Sequence, residues 1–453
     1  MSNRAPKPLT REQIDSAFDA VEAASKKSDD DAAWLAAEPL LSAQSRQREA
    51  ARDLLHIVDR RYLSCDRRLE VLRSVESAYS DDPSMLSCVG EVFEAVTDID
   101  YLNSAPPGDA FFEQVVRKLE SMARSAADEK EEERILFGLA SSARVLGRQF
   151  DELAERSYKR LIELDPERSA YRYNLGLFYK TRGRFAEGLA ANQRAVSLAD
   201  DPSEGALWNL GICATGAGEG EIALELWQGM EHKLEMGRFG LPEGRWPQCK
   251  VRLAERPLAE RDKANDDPGL EETIWIQRLS ACHGVIRSVL YQDLGIDYGD
   301  VVLFDGAPIT YHTYGEDRYP VFPHLSTLRR RDYRFFDFVG TQEEARQLAD
   351  VSTDLEGDSI VYSHTENFKV ICANCWNDPE RDHAEHAPEE KHVVTGRIAA
   401  PPEIDPAQLL LQIDSALADS EPCRIYAPDL CEAAGASDRA RFERRRFEML
   451  WGS

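Results

Sequence analysis

Two cysteines spaced as Cys372-x2-Cys375 are followed by His383 and His386, with His364 upstream and His392 downstream. Seven of the nine histidines in the chain fall between residues 283 and 392. A C-x2-C pair at the end of a strand can set two thiolates on one tetrahedral metal, and two imidazoles can close a structural zinc site. One reading is therefore a zinc cofactor held by Cys372, Cys375, His383 and His386. The Cys-to-His spacing is shorter than in the usual finger, and two histidines three residues apart make a cramped pair, so His364 or His392 could replace one of them. Two other readings stay open. One is a pair of reduced cysteines beside solvated histidines in an acidic loop. The other is a redox dithiol, whose motif usually opens a helix, whereas Trp376-Asn377-Asp378-Pro379 reads as a turn.

Cys282-His283 is the other pairing of reactive types. Neighbours on a strand point to opposite faces, so these two cannot act on each other. A distant histidine such as His312 or His364 could activate Cys282, but a free cysteine is more often a buried apolar residue. The chain has no phosphate-binding glycine loop, no nucleophile elbow and no H-E-x-x-H helix. Carboxylates are too plentiful in so acidic a chain for any pair of them to mark a site.

The elements that must carry these residues divide by period. The chain has 453 residues, 42% of them hydrophobic, which is enough for two to four domains with substantial cores. The net charge of −27 argues against a large nucleic-acid surface. Basic residues cluster only locally, at Arg329, Arg330, Arg331 and Arg334 and again at Arg439, Arg441, Arg444, Arg445 and Arg446. No window reaches 18 uninterrupted apolar residues, so no membrane span is expected. The first nine residues read as disordered and carry no apolar leader, which points to a cytoplasmic protein with reduced thiols. Thr10 to Gln13 fits a capping box, and helical periods follow to about residue 235, broken at Asp81-Asp82-Pro83 and at residues 104–108.

Within that stretch the chain repeats itself. Tyr173-Asn174-Leu175-Gly176 returns 35 residues later as Trp208-Asn209-Leu210-Gly211, each followed by a glycine at the same offset, Gly183 and Gly218. Units fall at about 133–168, 169–203 and 204–236. Gly183 and Gly218 suit tight turns with positive φ, and such units hide their apolar faces only by stacking. The segment resembles the tetratricopeptide repeat (TPR), a helix-turn-helix unit of about 34 residues. The resemblance covers roughly 100 residues, departs by an extra residue or two at the first turn, and implies a protein-binding groove lined by the first helix of each unit. By that resemblance Tyr173, Asn174, Leu177 and Lys180, and then Trp208, Asn209, Ile212 and Thr215, face a peptide ligand.

Residues 237–270, rich in glycine, proline and charge, read as a linker or as a wrapped connection between domains. Beyond it strands are expected at 273–276, 301–304 with 309–311 as a hairpin, 333–339, 360–362, 368–372 and 392–398. Helices are expected at 343–351, 406–417 and 439–451. Phe442, Phe447, Leu450 and Trp451 form an apolar stripe expected to pack on the body. The fold class read from these patterns is multi-domain: an N-terminal helical TPR-like solenoid at 10–236, a mixed α/β (α+β) domain at 271–425 and a basic amphipathic helix at 426–453. The expected function is a non-catalytic scaffold or adaptor with a protein or peptide partner. The alternative is a metal- or cysteine-dependent hydrolase or transferase whose solenoid recruits a protein substrate.

Overall fold

The computed structural model describes residues 8–97, 109–263, 266–341, 347–363, 393–418 and 423–451. Cys372, Cys375, His383, His386, His364 and His392 lie outside the described residues, as do the strand expected at 368–372 and the breaker at 104–108. The chain forms two compact units: Met1–Ala217 with Leu258–Asp267, and Gly218–Pro257 with Pro268–Ser453.

The first unit is helical. Its helices are α1 (Arg11–Ser25), α2 (Asp30–Ala43), α3 (Arg48–Asp59), α4 (Cys65–Ala78), α5 (Pro83–Glu91), the short α6 (Glu94–Thr97), α7 (Asp109–Arg124), α8 (Glu129–Val145), α9 (Asp151–Leu164), α10 (Ser169–Thr181), α11 (Phe185–Leu198) and α12 (Glu204–Gly216). Local chemistry sets their starts. Thr10 and Gln13 form the capping box on α1. Asp82 caps α5, with Pro83 in the first turn where its missing N–H costs nothing. Packing is mostly between neighbours: α1 on α2, α8 on α9, α10 on α11 and α11 on α12. One continuous core runs through the unit from Ile14 to Tyr179.

The second unit begins with α13 (Gly220–Gly229) and a small hairpin of β1 (Leu234–Met236) and β2 (Pro242–Gly244). Residues 234–236 are thus strand and not the tail of the last repeat. The helix stops because Glu231 takes a left-handed φ of 66°. Next come β3 (Cys249–Ala254), β4 (Glu271–Arg278), β5 (His283–Ile286), β6 (Val301–Phe304), β7 (Thr310–Tyr314) and β8 (Asp317–Arg329). Antiparallel pairings run β3–β4–β5–β6–β8. The parallel pairing of β3 with β8, Lys250 opposite Val321, closes them into a five-stranded barrel. A second, four-stranded antiparallel sheet has the order β10 (Ile360–Ser363), β11 (Val393–Ala400), β9 (Arg334–Thr341), β12 (Arg424–Tyr426). After the short α14 (Gln347–Asp350), the helices α15 (Pro406–Leu417), α16 (Pro428–Ala433) and α17 (Ser437–Trp451) complete its core around Phe338, Ile398, Leu409 and Leu430.

Three sequence expectations need correction. Residues 237–270 are not a linker. Cys249-Lys250-Val251-Arg252-Leu253-Ala254 alternates as a strand does, and all six residues are buried in the barrel. The Lys250 amine finds the Tyr314 hydroxyl at 2.5 Å and the face of Trp275, so its charge is served while its stem is covered. In the helical unit, Arg148 binds the 258–262 stretch through the Ala259 and Arg261 carbonyls and the Asp262 carboxylate. Second, 301–304 and 309–311 do not pair with each other. The hairpin is β7 with β8, turning at Gly315, whose φ is 61°. Third, the expected stripe on α17 does not all pack: Phe442 is 57% exposed, while Ala440 and Glu443 are buried. The arginines of α17 do find acids, Arg439 with Asp414 and Glu443, and Arg444 with Asp429 and Glu432.

Of the two chain topologies covered by "mixed α/β (α+β)", the strands fit α+β. Among the described residues every strand pairing except β3–β8 is antiparallel.

Candidate functional site

The repeated segment folds as helical hairpins. In the hairpin of α10 and α11, a Cβ on Gly176 would stand 2.4 Å from the Asn192 amide, so only glycine lets the helices cross there. The turn glycine Gly183 has φ 68°, as its position predicts. The first hairpin, α8 with α9, absorbs its extra residues in a 3-10 turn at Arg148–Phe150. Asn192, unremarked in the sequence, is fully buried and bonds to the Gly188 carbonyl at 2.8 Å.

A polar ladder ties successive hairpins together. Glu133 on α8 accepts from Tyr171 and Arg168. Asp151 on α9 pairs with Arg182, which also donates to the Arg144 carbonyl. Glu155 accepts from Tyr179 at 2.9 Å, Arg184 at 2.6 Å and Lys159 at 2.7 Å. Burial pulls the Glu155 carboxyl upward, but these three donors outweigh it and hold it at about 2. On Tyr179 burial and the bond to Glu155 act together and push the phenol well above its usual range.

The residues expected to face a peptide divide. Tyr173, Asn174, Leu177 and Trp208 are partly exposed, whereas Lys180, Asn209, Ile212 and Thr215 are buried. Asn174 donates to the Ala170 carbonyl of its own helix, and Thr215 to that of Gly211. The two asparagines therefore differ, Asn174 standing partly exposed and Asn209 buried. Side-chain hydroxyls and amides in a helix commonly turn back to the preceding turn, which the spacing alone does not reveal.

A groove elsewhere on the helical unit was not legible as one. It encloses about 580 Å³ between α7 and α9, over α8. Leu136, Leu139 and Leu153 make its floor, and its rim is charged. The rim charges pair with each other: Glu120 with Arg124 and Arg156, Glu132 with Arg160, Glu155 with Lys159. The signal was weak because Leu136 and Leu139 also belong to the helical core stripe.

Cys282 is fully buried, as is His283. The Ser280 hydroxyl lies against Nδ1 of His283, and burial drives the imidazole down to about 3, so it stays neutral. Neither side chain meets solvent, so the pair offers a substrate no nucleophile. Among the described residues no group of three or more histidines, cysteines or carboxylates is placed to hold a metal.

No protein-family model matches the chain, and no curated protein matches it. Among solved structures, MamA residues 41 to the end from Desulfovibrio magneticus RS-1 aligns with 40% of this chain and 94% of its own at 17% identity and a TM-score of 0.25. PilF of Pseudomonas aeruginosa aligns over 49% and 91% at 11% identity and 0.30. YrrB, titled a TPR protein with an unusual peptide-binding site, aligns over 47% and 90% at 16% identity and 0.26. Scores this low carry no argument by themselves. The hairpins with their crossing and turn glycines do, and they make this part of the chain a TPR-like segment.

Proposed function

We propose that this protein is a non-catalytic scaffold or adaptor whose helical unit holds a peptide or protein segment in the groove between α7 and α9. The observation that carries this reading is the groove, with its leucine floor and self-paired rim. Because the rim charges neutralise each other, they offer little pull on a polyanion. Affinity then comes from apolar burial on the floor, about 25 cal/mol per Å². The partly exposed Tyr173, Asn174, Leu177 and Trp208 supply a second contact face in the same proposal.

A cytoplasmic setting belongs to it as well. The seven described cysteines form no disulfide with one another, which fits a reducing compartment. Among the described residues no helix is long and apolar enough to cross a membrane. One structural zinc on Cys372, Cys375, His383 and His386 remains part of the proposal on spacing alone. The hydrolase or transferase alternative rests on the same residues alone, since burial closes off Cys282.

The test is selection of a random peptide library on the full chain, followed by affinities for two variants. Leu153→Arg places a charge on the floor and weakens the selected peptides at least about tenfold, as expected at an anchoring contact. If only Asn174→Ala weakens them, the α10 face is the site and the groove is not. If no peptide enriches, or neither variant matters, the docking function is overturned.

A further inference from the structure

Arg331, from the basic cluster at 329–334, does not stand alone. Its Nη1 lies 3.7 Å from Oδ2 of Asp358, and the same oxygen is 3.5 Å from Nη1 of Arg287 and 3.7 Å from Nη1 of Arg238. These arginines come from three separated stretches: the turn between β1 and β2, the end of β5 and the end of β8. Three guanidiniums thus share one carboxylate oxygen at distances too long for good hydrogen bonds. The count is three positive charges against one negative, in a chain whose net charge is −27. Of the nearby acids, Asp297 pairs with Arg397, and Asp300 accepts from the Arg331 backbone N–H at 2.7 Å with Arg330 beside it.

Two phenols complete the cluster. Tyr298 accepts from Arg287 at 3.3 Å, leaving its own proton to give. Tyr333 is buried to 8% exposure, and among the described residues its hydroxyl has no hydrogen-bond partner, nor has Nη1 of Arg331 an acceptor. The Tyr333 ring is held edge-on to Tyr298 at 5.4 Å and under the Arg331 guanidinium at 5.1 Å. Gly299 fixes it there, because a Cβ would come within 2.3 Å of the ring. Buried donors with no acceptor are costly unless something accepts from them.

We propose that Arg238, Arg287, Arg331, Tyr298 and Tyr333 form a binding site for a dianionic tetrahedral oxyanion, either inorganic phosphate or the phosphate of a small ester. The ligand takes the place of the Asp358 carboxylate. Asp358 can yield that place: it is exposed, sits on a turn with φ 64°, and holds the arginines by charge alone. A dianion together with the displaced Asp358 cancels the three guanidiniums, and its several oxygens can accept from the forked N–H groups and both phenols at once. Burial raises the Tyr333 phenol to about 12, which keeps it a donor at neutral pH.

The experiment is calorimetric titration of the full chain with inorganic phosphate, glycerol phosphate and acetate at low ionic strength. Phosphate or its ester binds at least about tenfold tighter than acetate, and the tighter of the two identifies the source. Asp358→Asn removes the competitor and tightens binding about tenfold, while Arg287→Met weakens it by a similar factor. Arg238→Met, on the exposed rim, weakens binding several-fold with the unfolding curve unchanged, so loss of fold cannot be mistaken for loss of site. The proposal is overturned if acetate binds as well as phosphate, if Asp358→Asn leaves the affinity as it was, or if Arg238→Met binds phosphate as the native chain does.

Discussion

The helical unit and the barrel unit of this chain are built on opposite rules of contact. In the helical unit most packing joins helices close in sequence, with α5 on α8 the main exception, and one core runs from Ile14 to Tyr179. In the second unit the decisive pairing joins Lys250 to Val321 across a long intervening stretch, and the cores are separate clusters, one inside the barrel and one on the second sheet. Stacked hairpins add stability by neighbours, so damage stays local. A barrel closed by a distant pairing has no partly formed version that keeps its edges covered, so damage is shared. A docking surface suits the first kind of structure because one groove can yield without undoing the rest. A rigid cluster drawn from many segments, such as the three arginines on Asp358, needs the second kind.

The strongest way to break this comparison is Val251→Asp. Val251 is fully buried on β3 and lies opposite Ile274 and Phe322 at the closure. A carboxylate there has no partner, and the cost is about 4 kcal/mol or more. Hydrogen exchange followed by mass spectrometry should show β3, β4, β5, β6 and β8 losing protection together, with α1 to α9 retaining theirs. Protection lost only at β3 would mean that the barrel is not one cooperative body.

A smaller effect comes from acid. His283 is neutral in the folded chain, with a pKa near 3 imposed by burial. In the unfolded chain it takes up a proton near its ordinary value of about 6.5. Between these two values the unfolded state binds more protons. This contribution to stability is therefore whole above about 6.5 and is lost as pH falls, by about 1.4 kcal/mol per pH unit. Buried carboxyls of the same unit, Glu272, Asp297 and Asp300, are raised by burial and pull the other way. The comparison of native chain with His283→Gln cancels them. The slope of barrel unfolding free energy against pH should flatten in the variant between about pH 6 and pH 4.5. Equal slopes would show that His283 is protonated inside the fold.

The same contrast explains what could be read in advance. Gly176, Gly183 and the helical periods announced α10 and α11 because a local rule governs each: close crossing, positive φ, one apolar face per turn. The barrel hid its first strand, since Lys250 looks like a surface residue until Trp275 and Tyr314 cover it, and Arg252 on the same strand is buried as well. It also hid its hairpin, because β6 and β7 each pair with the long β8 and not with one another, a choice made by residues far apart. Tyr173 and Asn174 stand partly exposed, whereas the burial of Asn209 and Ile212 depends on what lies over them and not on their place in the repeat. The Arg331 cluster was visible as charge and invisible as a site, because its other two arginines are 44 or more residues away in the chain.

The finest test of neighbour-only coupling is Glu155 on α9, which accepts from Lys159 of its own helix, from Tyr179 on α10 and from Arg184 at the start of α11. Its carboxyl is held at about 2 against an ordinary value near 4.5, so its contribution is present above the ordinary value and is lost as pH falls through about 2. The side chain is 20% exposed and its partners are long and partly solvated. Screening therefore limits the contribution to about 0.5–1 kcal/mol. Glu155→Gln keeps an acceptor for Tyr179 but removes the charge that Arg184 and Lys159 share. At neutral pH, faster exchange is expected in α9 and α10, and the difference from the native chain should shrink as pH falls through about 2, where the native carboxyl loses its charge. Loosening confined to these two helices is what a stack of neighbours allows. Equal loosening of α1 to α3 would mean that the long core transmits strain as a single body, and the helical unit would then obey the rule of the barrel.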